Sequence, residues 1–316
     1  MVSYGRTGLE VSALCIGTSS WGPPKPGEDD QQRDRRLLTL AEKVLTERPA
    51  GINFIDTSNE YGGSRAEALI GRALAALGGP PPGLVIQTKL DRDLDTGSFS
   101  AERMWRSLEE SRHRLGLETI DVLFLHDPEL ADFDELSGPG GAVEALRQMK
   151  ERGLARWIGI SGGHAPTILR YLDLGVFDTL ITHNRFTLVD RSADILLNRA
   201  AELGLGVTNA APYGGGILTG DPRFAGLYCY GPAAPEVLSS VAAMTRLCAE
   251  HDVPLGAAAL QFSMREPRIH STVVGASTVD SLQQAVEWSE LSIPADLWPA
   301  LEELAPAPEH WLEPPS

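Results

Sequence analysis

Four polar residues of this 316-residue chain, Asp56, Tyr61, Lys89 and His126, form a set that could move a proton to or from oxygen. A free phenol titrates near pH 10, roughly, which makes it too weak an acid, and once protonated too poor a base, for proton transfer near neutrality. An ammonium beside it favours the phenolate, and a carboxylate keeps that ammonium charged and oriented. An imidazole can hydrogen-bond the oxygen that gains or loses the proton. Together they could protonate a carbonyl or deprotonate a hydroxyl, which is half of an alcohol/carbonyl interconversion. The other half is a hydride, and no side chain supplies one.

Taken singly, each has a bland reading: Asp56 as a strand-end acid or helix cap, Tyr61 as a packed aromatic, Lys89 as a solvated lysine, His126 as a satisfied core histidine. Their places in the chain argue otherwise. Residues 51–63 read Gly-Ile-Asn-Phe-Ile-Asp-Thr-Ser-Asn-Glu-Tyr-Gly-Gly. Ile52, Phe54 and Ile55 make the apolar run of a buried strand, Asp56 ends it, and Gly62-Gly63 turns the chain toward a helix opening at Ser64. Ser64 and Glu67 have the spacing of a capping box. Lys89 ends a strand expected over 84–89 and His126 one expected over 121–126, which Pro128 stops. Different polar residues at the same ends of consecutive strands are hard to explain by packing, because stability favours apolar or small residues there.

The elements that must hold them alternate along the whole chain. A hairpin is expected over 1–11 with its turn at Arg6-Thr7-Gly8, then a first strand over 13–17. Further strands are expected over 156–161, 179–183, 205–209 and 271–275, with helices between them and a long excursion over 213–235. Ser100 and Gly116 are placed to cap the helix between them, and 132–141 reads as a solvated acidic loop. About eight strand-helix units imply a parallel sheet and fit a closed (β/α)8 TIM barrel, one α/β domain over 1–316, better than an open doubly wound sheet. The open sheet would carry Gly-x-Gly-x-x-Gly after its first strand, and none stands there. Gly214, Gly215 and Gly216 follow the seventh strand, where a barrel often binds phosphate and where a flexible turn would look the same.

A net charge of -16, from 43 acids against 27 Lys and Arg, argues against nucleic acid or an anionic membrane as partner. Cys15, Cys229 and Cys248 are too few and too scattered for a disulfide framework or a metal site, and no metal is expected. With no apolar run long enough to cross a bilayer and no signal-like N-terminus, a cytoplasmic protein is expected. No helix face is apolar enough to demand a partner chain, which leaves the oligomeric state open.

The segments 4–12, 51–63, Thr88-Lys89, 121–127, Gly159-Ile160-Ser161 and Val274-Gly275-Ala276-Ser277, in this order and spacing, resemble the aldo-keto reductase family over nearly the whole chain. The resemblance implies a barrel with a nicotinamide cofactor extended across its mouth and a catalytic tetrad of Asp56, Tyr61, Lys89 and His126. Tyr61 would be the general acid in reduction and the general base in oxidation. It also implies cofactor contacts at Gly17, Thr18 and Asp56 near the nicotinamide ribose, at Ser161 and Gly162 near the carboxamide, and at Tyr213, Gly214 to Gly216, Gly275, Ala276, Ser277 and Gln284.

Three departures stand out. Gly162 takes the place of a common Asn, His183 is the nearest match to a common Gln, and Ala210 sits where an aromatic often stacks on the nicotinamide; His183, Asn184 and Tyr213 are the candidates to compensate. Residues 275–284 contain no Lys or Arg, and Asp280 adds negative charge, so the basic clamp that NADP-preferring relatives close on the 2′-phosphate is missing and NAD is expected over NADP. The run His126-Asp127-Pro128-Glu129, with residues 183–192, is similar to the branch of aldose 1-dehydrogenases that includes L-fucose and galactose dehydrogenases. That likeness implies oxidation of a sugar's anomeric hydroxyl to a lactone. Trp21, Tyr228 and Trp311, with Tyr61 and His126, are the expected walls of the sugar site, because an aromatic face can cover a pyranose; Tyr230 and His310 lie beside them in sequence. Two other readings stay open: a reductase of aldehydes or ketones, including pyridoxal-like aldehydes, and a regulatory subunit that binds nicotinamide without turnover.

Overall fold

The structure, a computed structural model, describes residues 1–314. Eight strands close into a parallel barrel: β1 (Leu14–Gly17), β2 (Phe54–Asp56), β3 (Val85–Leu90), β4 (Ile120–His126), β5 (Ala155–Gly162), β6 (Thr179–His183), β7 (Gly206–Ala210) and β8 (Ser271–Gly275), with β8 pairing back onto β1. Helices α1 (Asp30–Thr46), α2 (Arg65–Ala76), α3 (Ala101–Leu115), α4 (Ala142–Glu151), α5 (Ala165–Leu172), α6 (Asp194–Glu202), α7 (Pro235–Glu250), α8 (Leu255–Met264) and α9 (Val279–Glu290) surround it. The strands are short and apolar because both faces are covered: alternate residues enter the barrel and the others pack under the helices.

The inward-facing residues form two levels. The lower is mostly apolar, with Cys15, Phe54, Val85, Val122, Phe124, Ile181 and Val273, and also holds buried Gln87 and Thr208. The N-terminal hairpin, Val2–Ser3 paired with Glu10–Val11, closes that end. Tyr4 plugs it, fully buried against Phe54, with its hydroxyl 2.7 Å from Thr208 Oγ1. Gly206 is required beneath the plug, since a Cβ there would lie 2.8 Å from the Tyr4 ring. One pleat above, the upper level consists of Gly17, Asp56, Lys89, His126, Ser161, His183, Ala210 and Gly275.

Several sequence expectations give way. The third strand runs one residue past Lys89, to Leu90. Ser64 is left-handed (φ 70°) and makes no capping bond, because the turn through Gly62 and Gly63 (φ 65° and 64°) carries its twist into the helix start. Glu67 is buried instead, accepting from the Thr88 hydroxyl at 2.6 Å and pairing with Arg114 at 3.0 Å. The supposed acidic loop contains a short helix, Phe133–Ser137, capped by Asp132 and anchored by buried Leu136. Residues Leu297–Glu303 form a further helix on α7, which sequence spacing did not mark. Ser100 and Gly116 cap α3 as expected, Gly116 at φ 68°.

Candidate active site

Strand parity explains how the polar residues meet. Asp56, Lys89 and His126 are each two residues beyond an inward-facing residue of β2, β3 and β4, so the same pleat that buries Phe54, Gln87 and Phe124 turns them into the barrel's mouth. Lys89 Nζ donates to Asp56 Oδ1 at 2.7 Å and to the Thr57 carbonyl at 2.8 Å, and Gln87 Nε2 donates to the same Asp56 oxygen at 2.9 Å. Tyr61 comes from the loop after β2. Lys89 Nζ stands 4.6 Å from its ring centre, and the His126 ring packs edge-on at 5.8 Å between centroids.

The loop carrying Tyr61 is bolted to α3. Asn59 Nδ2 donates to the Ser107 carbonyl (3.0 Å) and Glu110 (3.1 Å), Arg103 donates to Asn59 Oδ1 (3.1 Å), and Arg114 donates to the Asn59 carbonyl (2.9 Å). Trp21 supports the loop from the other side. Its carbonyl presses on Gly62, where a Cβ would collide with it.

Asp91, which sequence reasoning missed, completes the group. Its buried carboxylate hydrogen-bonds His126 Nδ1 and the Ser58 hydroxyl and accepts from the Glu60 amide at 2.9 Å. The available signal was its place two residues after Lys89, on the same side of the chain as it leaves β3. Asp127 adds a second carboxylate, with Oδ1 3.8 Å from His126 Nε2 and 3.7 Å from His183 Nε2.

The electrostatics follow from burial opposed by these pairings. Burial pushes the Tyr61 phenol above its ordinary value, and Lys89 pulls against that without cancelling it. Lys89 acts in the direction expected from the sequence, toward a lowered phenol, but burial outweighs it. Burial alone would lower Lys89, but Asp56 and Tyr61 overcome it and hold the ammonium above its usual range. Burial likewise opposes charge on His126, and Asp91 and Asp127 reverse the balance, raising it. Asp91 resists the rise that burial would impose and is held low, chiefly by His126. In the imidazolium form so favoured, His126 also carries a proton on Nε2, which it can donate to a ligand oxygen.

These groups lie in a cavity of about 1080 Å³, larger than most single small-ligand pockets, which run to roughly 1,000 Å³. Asp56, Tyr61, Lys89, His126, Ser161, His183, Tyr213, Gly215, Gly216, Gly275, Ser277 and Gln284 line it, as do Asp127 and Arg223. Ala210 and Gly275 leave flat space beside the polar cluster. Gly215 and Gly216 (φ 80° and 114°) turn the chain after β7 along the cavity's edge, with Phe224 where a Gly216 side chain would go. The lining combines a polar cluster, small residues and glycine backbone, a mixture suited to a flat ring and to hydroxyls or phosphates, the groups a nicotinamide dinucleotide carries.

The remaining expected contacts lie behind the walls. Thr18 donates its hydroxyl to the Asp56 carbonyl (3.0 Å), Gly17 is covered by Val273, Gly162 by Glu129 and Ile168, Gly214 by the Tyr228 ring, and Ala276 accepts from Trp21. Three expected sugar walls are corrected. Trp21 is buried with Nε1 donating to the Ala276 carbonyl at 2.7 Å, under the mouth rather than in it. Tyr228 is buried with its hydroxyl donating to the Asn184 carbonyl at 2.6 Å. Trp311 lies in a separate lateral groove, Nε1 donating to the Pro306 carbonyl at 3.3 Å. In each case an aromatic with a polar hydrogen satisfies it on backbone and serves packing. Tyr230 does line the cavity, whereas His310 faces Glu236. Asn184 is buried, with Nδ2 3.2 Å from His183 Nδ1, so it orients that ring from behind. No helix among the described residues is long and apolar enough to cross a membrane.

Comparison with known proteins agrees with the geometry. Residues 13–306 match the profile described as the aldo/keto reductase family. The chain is 33% identical to L-galactose dehydrogenase of Arabidopsis thaliana, covering 90% of this chain and 86% of that one. It is 32% identical to D-threo-aldose 1-dehydrogenase of a Pseudomonas species, covering 82% and 86%. The fold superposes on aldo-keto reductase AKR11C1 from Bacillus halodurans, in its holo form, with a TM-score of 0.77 at 23% identity and 96% coverage of both chains.

Proposed function

The chain belongs to the aldo/keto reductase family and is an oxidoreductase of the CH–OH/C=O pair, and from that premise we propose that it oxidises the anomeric hydroxyl of an aldose to a lactone, with NAD as the preferred oxidant. The observation that carries this reading is the convergence of Tyr61, Lys89, Asp56 and His126 in one cavity of about 1080 Å³. The likeness to two aldose dehydrogenases supports the substrate class.

When bound, the nicotinamide supplies the hydride acceptor. Ser161 and His183 would hold its carboxamide end, and Gly215, Gly216, Ser277 and Gln284 the rest. Tyr61 takes the proton of the hydroxyl as C1 loses hydride, so the carbon is oxidised by two electrons and the lactone carbonyl forms. Lys89 favours the phenolate this requires, and Asp56 keeps Lys89 charged and fixed by a buried pair. His126, held by Asp91, steadies the reacting oxygen. Electrostatics of this kind act strongly because the groups are already oriented before reaction.

The NAD preference draws support from an arginine that the sequence argument did not weigh. Arg36 of α1 reaches the segment after β8 and donates to the Ser277 carbonyl, yet its guanidinium is already paired with Glu28 at 2.8 Å. A cofactor 2′-phosphate there would compete with Glu28 and sit near Asp280, whereas a 2′-hydroxyl would not.

The test is absorbance of reduced nicotinamide over a panel of aldoses with NAD and NADP separately, with the product identified as lactone. Reduction of NAD by one stereochemical class of aldose is expected. Activity confined to carbonyl reduction with NADPH would overturn both parts of the reading.

A further inference from the structure

Asp127 lines the mouth and helps Asp91 raise His126, but the proton chemistry above uses no hydrogen bond to it. It stands one residue beyond His126, lines the cavity and has a side chain 37% exposed. Its backbone is left-handed (φ 44°), an unusual state for a residue with a side chain. The conformation is fixed by its amide, which donates to the Ser161 carbonyl at 2.7 Å, and by buried Pro128 directly after it. Backbone outliers of this kind concentrate where a side chain must be aimed at a ligand.

Its carboxylate stands at the cavity wall between two imidazoles. Oδ1 is buried but has no hydrogen-bond partner in the protein, at 3.8 Å from His126 Nε2 and 3.7 Å from His183 Nε2. Both gaps exceed hydrogen-bond length. A buried carboxylate oxygen without a donor is costly, and such groups normally find one. Burial would favour the neutral acid, but His126 and His183 hold the group well below the usual carboxylate range, so it presents acceptors only.

We propose that Asp127 accepts a hydrogen bond from the substrate hydroxyl on the carbon next to the reacting one, and that this contact selects 2-hydroxylated substrates over their 2-deoxy counterparts. The inference rests on the reading that His126 holds the reacting oxygen. In a vicinal pair the second oxygen lies about one hydrogen-bond length from the first, so a substrate oxygen on His126 Nε2 brings its neighbour toward the Asp127 carboxylate, which lines the same cavity. A hydroxyl fills the missing-donor role, whereas a methylene would leave the carboxylate unpaired. The site would then discriminate by the penalty it imposes on the poorer substrate.

The experiment compares kcat/KM for matched pairs in the wild type, Asp127→Asn and Asp127→Ala. One pair is an aldose and its 2-deoxy form in oxidation; the other is glyceraldehyde and 3-hydroxypropanal in reduction, which reads the same contact if aldoses prove not to be oxidised. The wild type should favour the 2-hydroxylated member by about ten- to a hundredfold, the range expected of a hydrogen bond to a charged group. Asp127→Ala should bring each pair within about twofold by slowing the hydroxylated member far more than the deoxy one. Asp127→Asn, whose side chain is isosteric and tolerates the left-handed backbone, should keep the thermal transition and give an intermediate preference. Absence of preference in the wild type, or equal loss on both members of a pair, would overturn the proposal. So would a rate that depends on added Mg²⁺ or Mn²⁺ and loses that dependence in the variants, since Asp127, Glu129 and His183 also lie close enough together to share a cation. Failure of aldose oxidation with a preserved glyceraldehyde preference would sink the sugar assignment and leave this one standing.

Discussion

The upper level of the barrel divides into two arcs that share strand geometry and differ in everything else. From β2 to β6 its inward residues are Asp56, Lys89, His126, Ser161 and His183; from β7 through β8 to β1 they are Ala210, Gly275 and Gly17. The first arc is wired: Lys89 to Asp56, His126 to Asp91, and the Tyr61 loop to α3. The second is nearly empty of side chain and is bordered by the long segment 211–234 with its glycine turn. Parity alone puts a residue at each of these places, so the division of labour lies in residue type. Buried pairs fix charges where reaction needs them, and small residues keep the space in which flat ligands can lie against those charges.

Removing the phenol should have the largest effect, since it breaks the first arc at the proton-transfer step. Tyr61→Phe should lower kcat by about 10²- to 10⁴-fold, the usual range for a general base, with the Kd for cofactor little changed. Stopped-flow turnover and cofactor titration measure the two separately.

Lys89→Met comes next and acts on two properties. It leaves Asp56 charged and unpaired in the interior, at a cost of about 3–5 kcal/mol for breaking such a pair, readable by urea unfolding. It also removes the group that opposes burial at Tyr61, so the phenol rises further and the alkaline rise of the oxidation rate should move to higher pH. A profile that stays in place would mean that Lys89 does not act through Tyr61.

Asp91→Asn should cost about tenfold in kcat/KM, because His126 loses its strongest support for the imidazolium while keeping a neutral partner. Its stability signature has a defined window. His126, raised in the folded protein, adds stability that is complete below its unfolded value near about 6.5 and is lost as pH rises through the folded value. Asp91, held low, adds stability present above its unfolded value near about 3.9 and lost as pH falls through the folded one. The wild type should therefore exceed the variant most between those limits, in denaturation followed across pH.

The smallest effect belongs to the second arc. Gly216→Ala strains a residue at φ 114° and drives a methyl toward Phe224. Strain of about 1–3 kcal/mol in such a region should appear as a weaker cofactor KM, up to about a hundredfold, with saturated kcat nearly unaffected. A loss confined to kcat would erase the distinction between the arcs.

Much of the first arc was legible in the sequence because strand parity and strand ends are local signals: Asp56, Lys89 and His126 follow apolar runs that reveal their register. Asp91 was not legible, since its value depends on a contact with His126 across 35 positions. The aromatics misled for a related reason. Trp21 and Tyr228 look the same in a loop whether they face a ligand or bury a donor against backbone, and only the Ala276 and Asn184 carbonyls decide it. Ser64 and Glu67 had capping-box spacing, but three consecutive left-handed residues and the pull of Arg114 gave both other conformations. Residues 275–284 contain no Lys or Arg, yet Arg36, far away in sequence, reaches that segment, a contact no local pattern announces.

The most direct test of the central claim uses a panel of aldoses carrying deuterium at C1, incubated with NAD and the wild-type enzyme or Tyr61→Phe. The account predicts deuterium on the reduced nicotinamide and lactone in matching amount with the wild type, and a rate at least about a hundredfold lower with the variant. Unlabelled reduced cofactor would contradict oxidation at C1, and equal transfer by the two proteins would contradict the role given to Tyr61.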